Sequence, residues 1–472
     1  MQIKDAITEK VERSRDQLLD SVTRFIKIRS VEGPPARGKP FGEKVDEALG
    51  YALDLASGLG FKTRKLDGYI GFAEYGEGDE LLGVLTHVDV VPEGKLEDWE
   101  FPPFAGIIDN GLLHGRGSVD DKGPLVSVLY GLSAVRNLEL PVSKRVRVLF
   151  GTNEESGWGG IKYYLDHEEM PSSGFSPDGM FTVVNREKGI TVAALKKRFH
   201  ESQRRGIHLR SLSGGSVPNM VPDRAEAVLF VERSMRDVVL KLFEGFCREH
   251  SQYKIDLEEK EDEVLIWADG KAAHAMAPEQ GANAIAQLLQ FLSTLPSEGQ
   301  AVFEFIRMLD TKVGMDYLGR AVGMDWKDEM SGSLTLNMGT IRADETEGEV
   351  VLDIRSPVTY TCRQVVEALE AGFDGTGTKV VVRSIKEPLF VSPDHPLVET
   401  LAKVYTEATG RAPVLHAIGG GTYARAIKNC VCFGSVYPDE KVTAHQPNEQ
   451  VTVEDLILNA KVYGQALFEL LR

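Results

Sequence analysis

From Leu81 to Val91 the chain reads LLGVLTHVDVV, apolar at nearly every position, with no polar face left for water. A strand of that kind has to be buried on both sides, and a mostly parallel sheet covered by helices is what buries it. Arg145–Gly151 repeats the pattern. Around these runs, Lys122–Asn137 has helical spacing, Gly159–His167 reads as a short helix and Phe181–Asn185 as a further strand. The alternation resumes late in the chain, with a helix at His395–Thr409, a strand at Cys430–Gly434 and a closing helix at Val453–Leu471. The expected fold class is α/β, on one discontinuous domain made of residues 1–188 and 384–472.

Residues 189–383 have a different texture. Strands there alternate instead of running apolar, and helical patterns lie at Met235–His250, Asn283–Leu292 and Thr361–Phe373. This predicts an inserted α+β domain. It carries an internal repeat: Gly214–Met220 (GGSVPNM) precedes Ala225–Leu229 (AEAVL), and Gly332–Met338 (GSLTLNM) precedes Gly348–Leu352 (GEVVL). Each copy leads into a helix, so two stacked copies of one small unit account for the insert.

A chain of 472 residues exceeds one ordinary core and implies two or three domains. A net charge of −17 argues against nucleic acid or an anionic membrane as partner, since both select a basic surface. No run of 18 apolar residues exists, so no membrane span is expected. The first twenty residues, MQIKDAITEKVERSRDQLLD, read as an amphipathic helix instead of a signal segment. Four cysteines, Cys247, Cys362, Cys430 and Cys432, lack C-x-x-C spacing and read as reduced, mostly buried thiols, in keeping with a cytoplasmic location.

Five short segments carry the chemistry: Thr86-His87-Val88-Asp89, Ser118–Gly123 (SVDDKG), Thr152–Ser156 (TNEES), Ser176-Pro177-Asp178 and Ala444-His445-Gln446. Four of them stand where a strand-like run gives out, the ligand-binding edge of an open α/β sheet. Histidines and carboxylates converging there suit zinc, with cobalt or manganese as substitutes. Taken singly, each has a plainer reading. His87 could be a structural histidine, and one of Asp120 and Asp121 a helix N-cap. Glu154 and Glu155 could be a solvated pair, Asp178 a turn residue and His445 a surface histidine. The pairs ask for more: a cap needs one carboxylate, not two. Of two adjacent glutamates in a cleft, one can ligate metal while the other moves protons as general base. Asp89, two residues from His87 on the same strand face, can hold the second ring nitrogen.

The order His, Asp, Glu-Glu, Asp, long insert, His resembles metallopeptidase family twenty, whose members include aminoacylases, carboxypeptidase-G-like enzymes and desuccinylases. Within that family the chain is most similar to the PepV-type dipeptidases. Gly117–Pro124 (GSVDDKGP), Asn153–Trp158 (NEESGW) and Gly419–Arg425 (GGGTYAR) extend the likeness, which covers nearly the whole length. The resemblance implies two zinc ions: one on His87, Asp120 and Asp178, the other on Asp120 (bridging), Glu155 and His445. It makes Glu154 the general base acting on a zinc-activated bridging water, and Asp89 the partner of His87. It gives the insert the role of a lid, in which His274 stabilises the oxyanion, and Arg355 and Asn219 contact substrate. The run Gly419 to Thr422 is too short for a phosphate loop and lacks its lysine, but its amides can bind a carboxylate at Gly420, Gly421 and Thr422.

The expected function is a metal-dependent dipeptidase acting on unblocked dipeptides, as a monomer whose doubled insert replaces pairing between subunits. An amidohydrolase or deacylase on N-acyl amino acids would use the same metal core. An inactive, metal-dependent peptide-binding protein is the alternative of another class, and Glu154 argues against it, since mere binding needs no second acid beside Glu155.

Overall fold

The computed structural model describes residues 3–200, 206–261, 263–297 and 299–472, in two compact units. The first comprises Met1–Arg186, Phe390–Ala417 and Gly421–Arg472, the second Glu187–Leu389 with Ile418–Gly420. The second unit therefore starts and ends within a few residues of 189 and 383, and it also takes in Ile418 and the first two residues of the glycine run.

In the first unit the main sheet runs in the order Lys62–Leu66, Ile70–Tyr75, Arg145–Gly151, Leu81–His87, Ser173–Ser176, Cys430–Cys432, Val183–Glu187. Its centre is parallel: Leu81–His87 pairs in parallel with both Arg145–Gly151 and Ser173–Ser176, which in turn pairs in parallel with Cys430–Cys432. All seven residues of Leu81–His87 are buried, as a run without a polar face requires. Antiparallel strands close both sides. The helices Lys122–Asn137 and Val453–Leu471 pack together at Gly131 and Gly464. A Cβ on Gly131 would come within 2.6 Å of the Ala460 carbonyl and 2.7 Å of the Gly464 nitrogen, so the crossing depends on glycine.

The second unit is built on an eight-stranded sheet, antiparallel at every junction. Its order is Lys254–Lys260, Glu263–Asp269, Arg224–Val231, Ile207–Gly214, Thr335–Ala343, Glu347–Ser356, Gly189–Arg198, Lys379–Lys386. The two central strands join through Leu212–Ala343, Ser213–Arg342 and Gly214–Ile341, and outward from them the two halves match. In each, the second strand leads to a helix, Arg236–Glu249 or Cys362–Gly372, and the helix leads to the outermost strand. The third strand comes last in the chain in one half (Glu263–Asp269) and first in the other (Gly189–Arg198). The halves are related by circular permutation. Apolar residues of the sheet, such as Leu229, Ile266, Leu336 and Leu352, pack against Leu288 and Phe305 of two further helices, Ala284–Ser293 and Ala301–Lys312. Each buried side chain of this kind is worth about 1.5–3 kcal/mol.

The repeat is therefore present, but half of its expected alignment is wrong. Ala225–Leu229 and Gly348–Leu352 do occupy corresponding strands. Gly214–Met220, in contrast, turns away after its strand, with Gly215 at φ +69°, whereas Thr335–Met338 lies within a strand. A glycine in the left-handed region followed by proline ends a strand, so these segments match in letters and not in conformation. Among the described residues no helix is long and apolar enough to cross a membrane. All four cysteines are free, three of them buried.

Candidate metal centre

Parallel pairing brings the acidic segments to one edge. His87 is the last residue of its strand and lies in register with Gly151, and the Val88 amide donates to the Gly151 carbonyl at 2.8 Å. The residues that follow Gly151 therefore emerge beside His87, and among them are Glu154 and Glu155. On the other side Ser173–Ser176 runs parallel to the same strand, so Asp178, two residues past its end, reaches the same edge. Asp120 comes from the loop before helix Lys122–Asn137, and His445 from the loop before the short strand Gln450–Thr452.

Asp120 joins the two histidines: its Oδ1 is 2.9 Å from His87 Nε2, and its Oδ2 is 2.9 Å from His445 Nε2. His445 Nε2 also lies 3.1 Å from Glu155 Oε2, and His87 Nε2 3.8 Å from Asp178 Oδ2. Ligand atoms of His87, Glu154 and Asp178 fall within 4.8 Å of one another, as do those of His87, Asp120 and Glu155. His445 holds a backbone φ of +63°, in the left-handed region that few side-chain-bearing residues adopt. All six residues expected at the cluster, the five ligand types and Glu154, are thus gathered in the first unit.

The tautomer of His87 follows from its neighbours. Nδ1 lies 3.0 Å from the Asp89 carbonyl, an atom that can only accept, so Nδ1 carries a proton and Nε2 is the nitrogen left for a cation. Burial opposes charge on the ring, but Asp120 and Asp89 prevail and hold its pKa well above the usual range. His87 Nε2 and Asp120 Oδ1 are buried against each other, and Glu155 Oε1 is buried beside them with no hydrogen-bond partner among the described residues. Asp89 holds the second ring nitrogen, as expected of it, but through its backbone carbonyl. Its carboxylate, 3.5 Å from the same nitrogen, also accepts the amides of Glu154 and Glu155, so one residue ties His87 to the glutamate pair. Asp121 departs from the N-cap reading: it stands at the N-cap position of the helix but makes no cap bond, and its Oδ2 accepts the His87 amide at 3.2 Å.

Burial, with the negative charge of Asp178, Glu155 and Asp120 around it, holds the Glu154 carboxyl well above the usual carboxylate range. Burial and Asp120 push Asp178 up to about 8. For His445 burial works the other way, but contact with Asp120 and Glu155 prevails and pushes it up to about 11. Crowded carboxyls that cling to protons, facing imidazoles that do the same, form a site short of positive charge.

The remaining expected residues divide between the units. In the second, His274 is exposed on a turn; its Nδ1 accepts the Met276 amide at 3.1 Å, which leaves the proton of the neutral ring on Nε2. Asn219 is exposed next to it, and its carbonyl accepts the Ala275 amide. Buried Asn337 clamps that turn through the carbonyls of Pro218 and Met220. Arg355 is buried: Nε and Nη2 donate to Asp353 at 2.5 and 2.9 Å, and Nη1 donates to the Gly419 carbonyl at 3.0 Å. Gly420 falls with the second unit, Gly421 and Thr422 with the first. The Thr422 hydroxyl accepts the Ala424 amide and caps the turn Tyr423–Ala426.

Sequence reasoning missed three residues. In sequence Asp121 reads as half of an acidic pair or as a helix cap, neither of which points to the His87 amide. Tyr423 was read only as part of a motif. Its ring meets His87 edge-on at 6.3 Å beneath Gly151, where a Cβ would come within 2.3 Å of it. Glu449 is a wholly buried carboxylate between Asn448 and Gln450, a setting that in sequence reads as a solvated loop.

A sequence profile of Peptidase family M20/M25/M40 matches residues 83–469. The chain is 39% identical over 465 residues to the "Putative dipeptidase YtjP" of Bacillus subtilis (strain 168), covering 97% of this chain and 98% of that one. Among solved structures it is similar to the M20 family metallo-carboxypeptidase Sso-CP2 from Sulfolobus solfataricus, with a TM-score of 0.59 at 17% identity, covering 96% of this chain and 99% of that one. It is also similar to human carnosine dipeptidase 1, with a TM-score of 0.57 at 13% identity over 99% of each chain. At these identities the structural likeness is one of fold.

Proposed function

The chain belongs to peptidase family M20/M25/M40, and from that premise we propose that it is a dipeptidase, cleaving the peptide bond of unblocked dipeptides. The observation that carries this reading is the adjacent pair Glu154 and Glu155. Glu155 faces His445 as a ligand would, while the Glu154 carboxyl lies beside His87 and Asp178 and is held well above the usual carboxylate range by burial. The relative named as a dipeptidase supports the choice of substrate.

The donor set fits divalent cations. Buried ligand atoms of His87, Asp120 and Glu155 crowd into one pocket, a costly gathering unless a cation is shared among them. His87, Asp120 and Asp178 would hold one ion, and Asp120, Glu155 and His445 the other; nitrogen and oxygen donors of this kind suit zinc, with manganese or cobalt as substitutes. When bound, such ions polarise the scissile carbonyl and bring the pKa of a water from 15.7 towards about 7.

Glu154 receives the proton of the attacking water and returns it to the departing amine nitrogen. Asp89 keeps that carboxyl in place through the Glu154 amide. His274, with its proton on Nε2, is the donor to the developing oxyanion. Arg355 has five N–H groups, three of them engaged by Asp353 and Gly419, and the other two are assigned to the substrate carboxylate. Asn219 and the amides of Gly420, Gly421 and Thr422 complete that end. Since both halves of the lid sheet come from one chain, the working unit is a monomer, and four free thiols fit a reducing cytoplasm.

The test is a zinc-supplemented assay that sets an unblocked dipeptide against an N-acetyl amino acid. Faster turnover of the dipeptide is expected. Preference for the N-acetyl compound would make the protein an amidohydrolase, and no turnover of either would leave a binding protein.

A further inference from the structure

We propose that Glu449 is a positioning residue that sets Asp120 and His445 against each other, and so supports one of the two cation sites more than the other. The inference rests on the two-ion reading above.

The Glu449 carboxylate has no exposed surface. Its Oε1 accepts the amides of Gly117 at 3.0 Å, Val119 at 2.9 Å and Asp120 at 3.3 Å, and its Oε2 accepts Arg116 Nη1 at 2.6 Å. Its own carbonyl accepts the Gly115 amide at 2.9 Å. The loop that delivers Asp120 is thus wrapped around one side chain, its amides converging on an anion as a nest does, with Gly117 at φ +89° making the turn.

The same residue belongs to the loop that delivers His445, four positions earlier. That loop is tied at its base: Thr443 Oγ1 donates to the Gln450 carbonyl at 3.1 Å and accepts the Gln450 amide at 3.2 Å. Gln450–Thr452 then pairs with Leu112–His114, just before the Asp120 loop begins. Both loops leave one small sheet, and Glu449 fastens one to the other within a few residues of their functional side chains. The distance it governs is the 2.9 Å from Asp120 Oδ2 to His445 Nε2. His87 stands on a rigid central strand, and Asp178 follows another. Their positions owe nothing to Glu449.

A carboxylate is needed there. The partners are three amides and a buried guanidinium, all donors, so glutamine would turn either its NH2 towards Arg116 or its NH2 towards the amides. Buried Arg116 would also lose its anion. Loss of a group that orients metal ligands typically lowers metal affinity about 10–100-fold.

The experiment is calorimetric titration of the metal-free full-length protein with Co²⁺ alone, alongside its melting temperature. The wild type should bind two ions in distinguishable steps, and His445→Ala should identify the step that depends on His445. Glu449→Gln should weaken that step about 10–100-fold and the other step less, since both sites share Asp120 but only this one also takes His445. Glu449→Asp, which restores the charge at shorter reach, should recover part of the loss. Equal weakening of both steps would mark a general loosening and overturn the proposal, as would no change in either. Failure of both variants to fold would assign Glu449 to the fold alone and also overturn it. A wild type that binds one ion would overturn the two-ion reading itself, an outcome visible before any variant is made.

Discussion

Asp89 Oδ1 accepts the amide of Glu154 at 3.2 Å, while Oδ2 of the same carboxylate accepts the amide of Glu155 at 3.1 Å. One acid two residues past the strand that carries His87 therefore sets both the proposed base and the proposed ligand beside it. Asparagine would keep one acceptor and turn a donor towards the second amide. Asp89→Asn should lower kcat about 10–100-fold while changing the melting temperature little. Steady-state kinetics with thermal unfolding checks this, and unaltered kcat would remove Asp89 from the site.

Glu154→Gln should retain metal at the wild-type stoichiometry and lose at least about a hundredfold in kcat, the lower range for proton transfer by a placed side chain. Metal analysis by mass spectrometry distinguishes the loss of a base from the loss of an ion. Turnover near wild type would sink the assignment.

Metal and pH should oppose each other. Asp178 is pushed up to about 8, so between about 4 and 8 the metal-free folded chain holds a proton that the unfolded chain has released. Stability therefore falls as pH rises through that window. His445, pushed up to about 11, acts with the same sign: its contribution is complete below about 6.5 and is lost as pH climbs towards 11. The melting temperature of chelator-treated protein should drop from pH 5 to pH 8. Stabilisation by added zinc should grow over the same range, with apparent affinity rising about tenfold per pH unit for each proton displaced. Zinc stabilisation independent of pH would show that these residues are not the ligands.

Arg355 is already neutralised by Asp353, which changes what a missing substrate carboxylate should cost. An amide at the C-terminus does not leave a bare buried cation; it leaves two N–H groups without their anion. Dipeptide amides should then be poorer in kcat/KM by about 10–100-fold, at about 1–3 kcal/mol for unmet polar groups. Arg355→Lys should raise KM for the free acid and barely affect the amide. Equal kcat/KM for acid and amide in the wild type would show that this end of the substrate is not read.

The lid sheet closes its central junction within one chain, Leu212 opposite Ala343 and Gly214 opposite Ile341. The protein should therefore run at 52.0 kDa in light scattering. A stable dimer in which Glu154→Ala and His274→Ala subunits together regain activity would refute the monomer.

Local periodicity determined much of this protein. Helices at Lys122–Asn137, Gly159–His167 and Val453–Leu471 and the strand Arg145–Gly151 lie where the spacing of apolar residues puts them, because each is decided by neighbours a few positions away. The cluster of His87, Asp120, Glu154, Glu155, Asp178 and His445 was legible for a related reason: parallel strands bring their ends to one edge, and these residues follow strand ends or flank the connecting loops. The helices at Glu43–Gly58 and Ala301–Lys312 were not anticipated, and neither was the permuted order of the lid strands. What only the tertiary structure decided is which polar group answers which. Asp89 turns to amides 65 and 66 residues away, and Glu449 to amides some 330 residues away. Asp121 accepts from His87, not from its own helix. No local pattern encodes such pairs. They arise because a buried carboxylate must find donors wherever packing has left them, and the chain brings those donors close only once the sheet has formed.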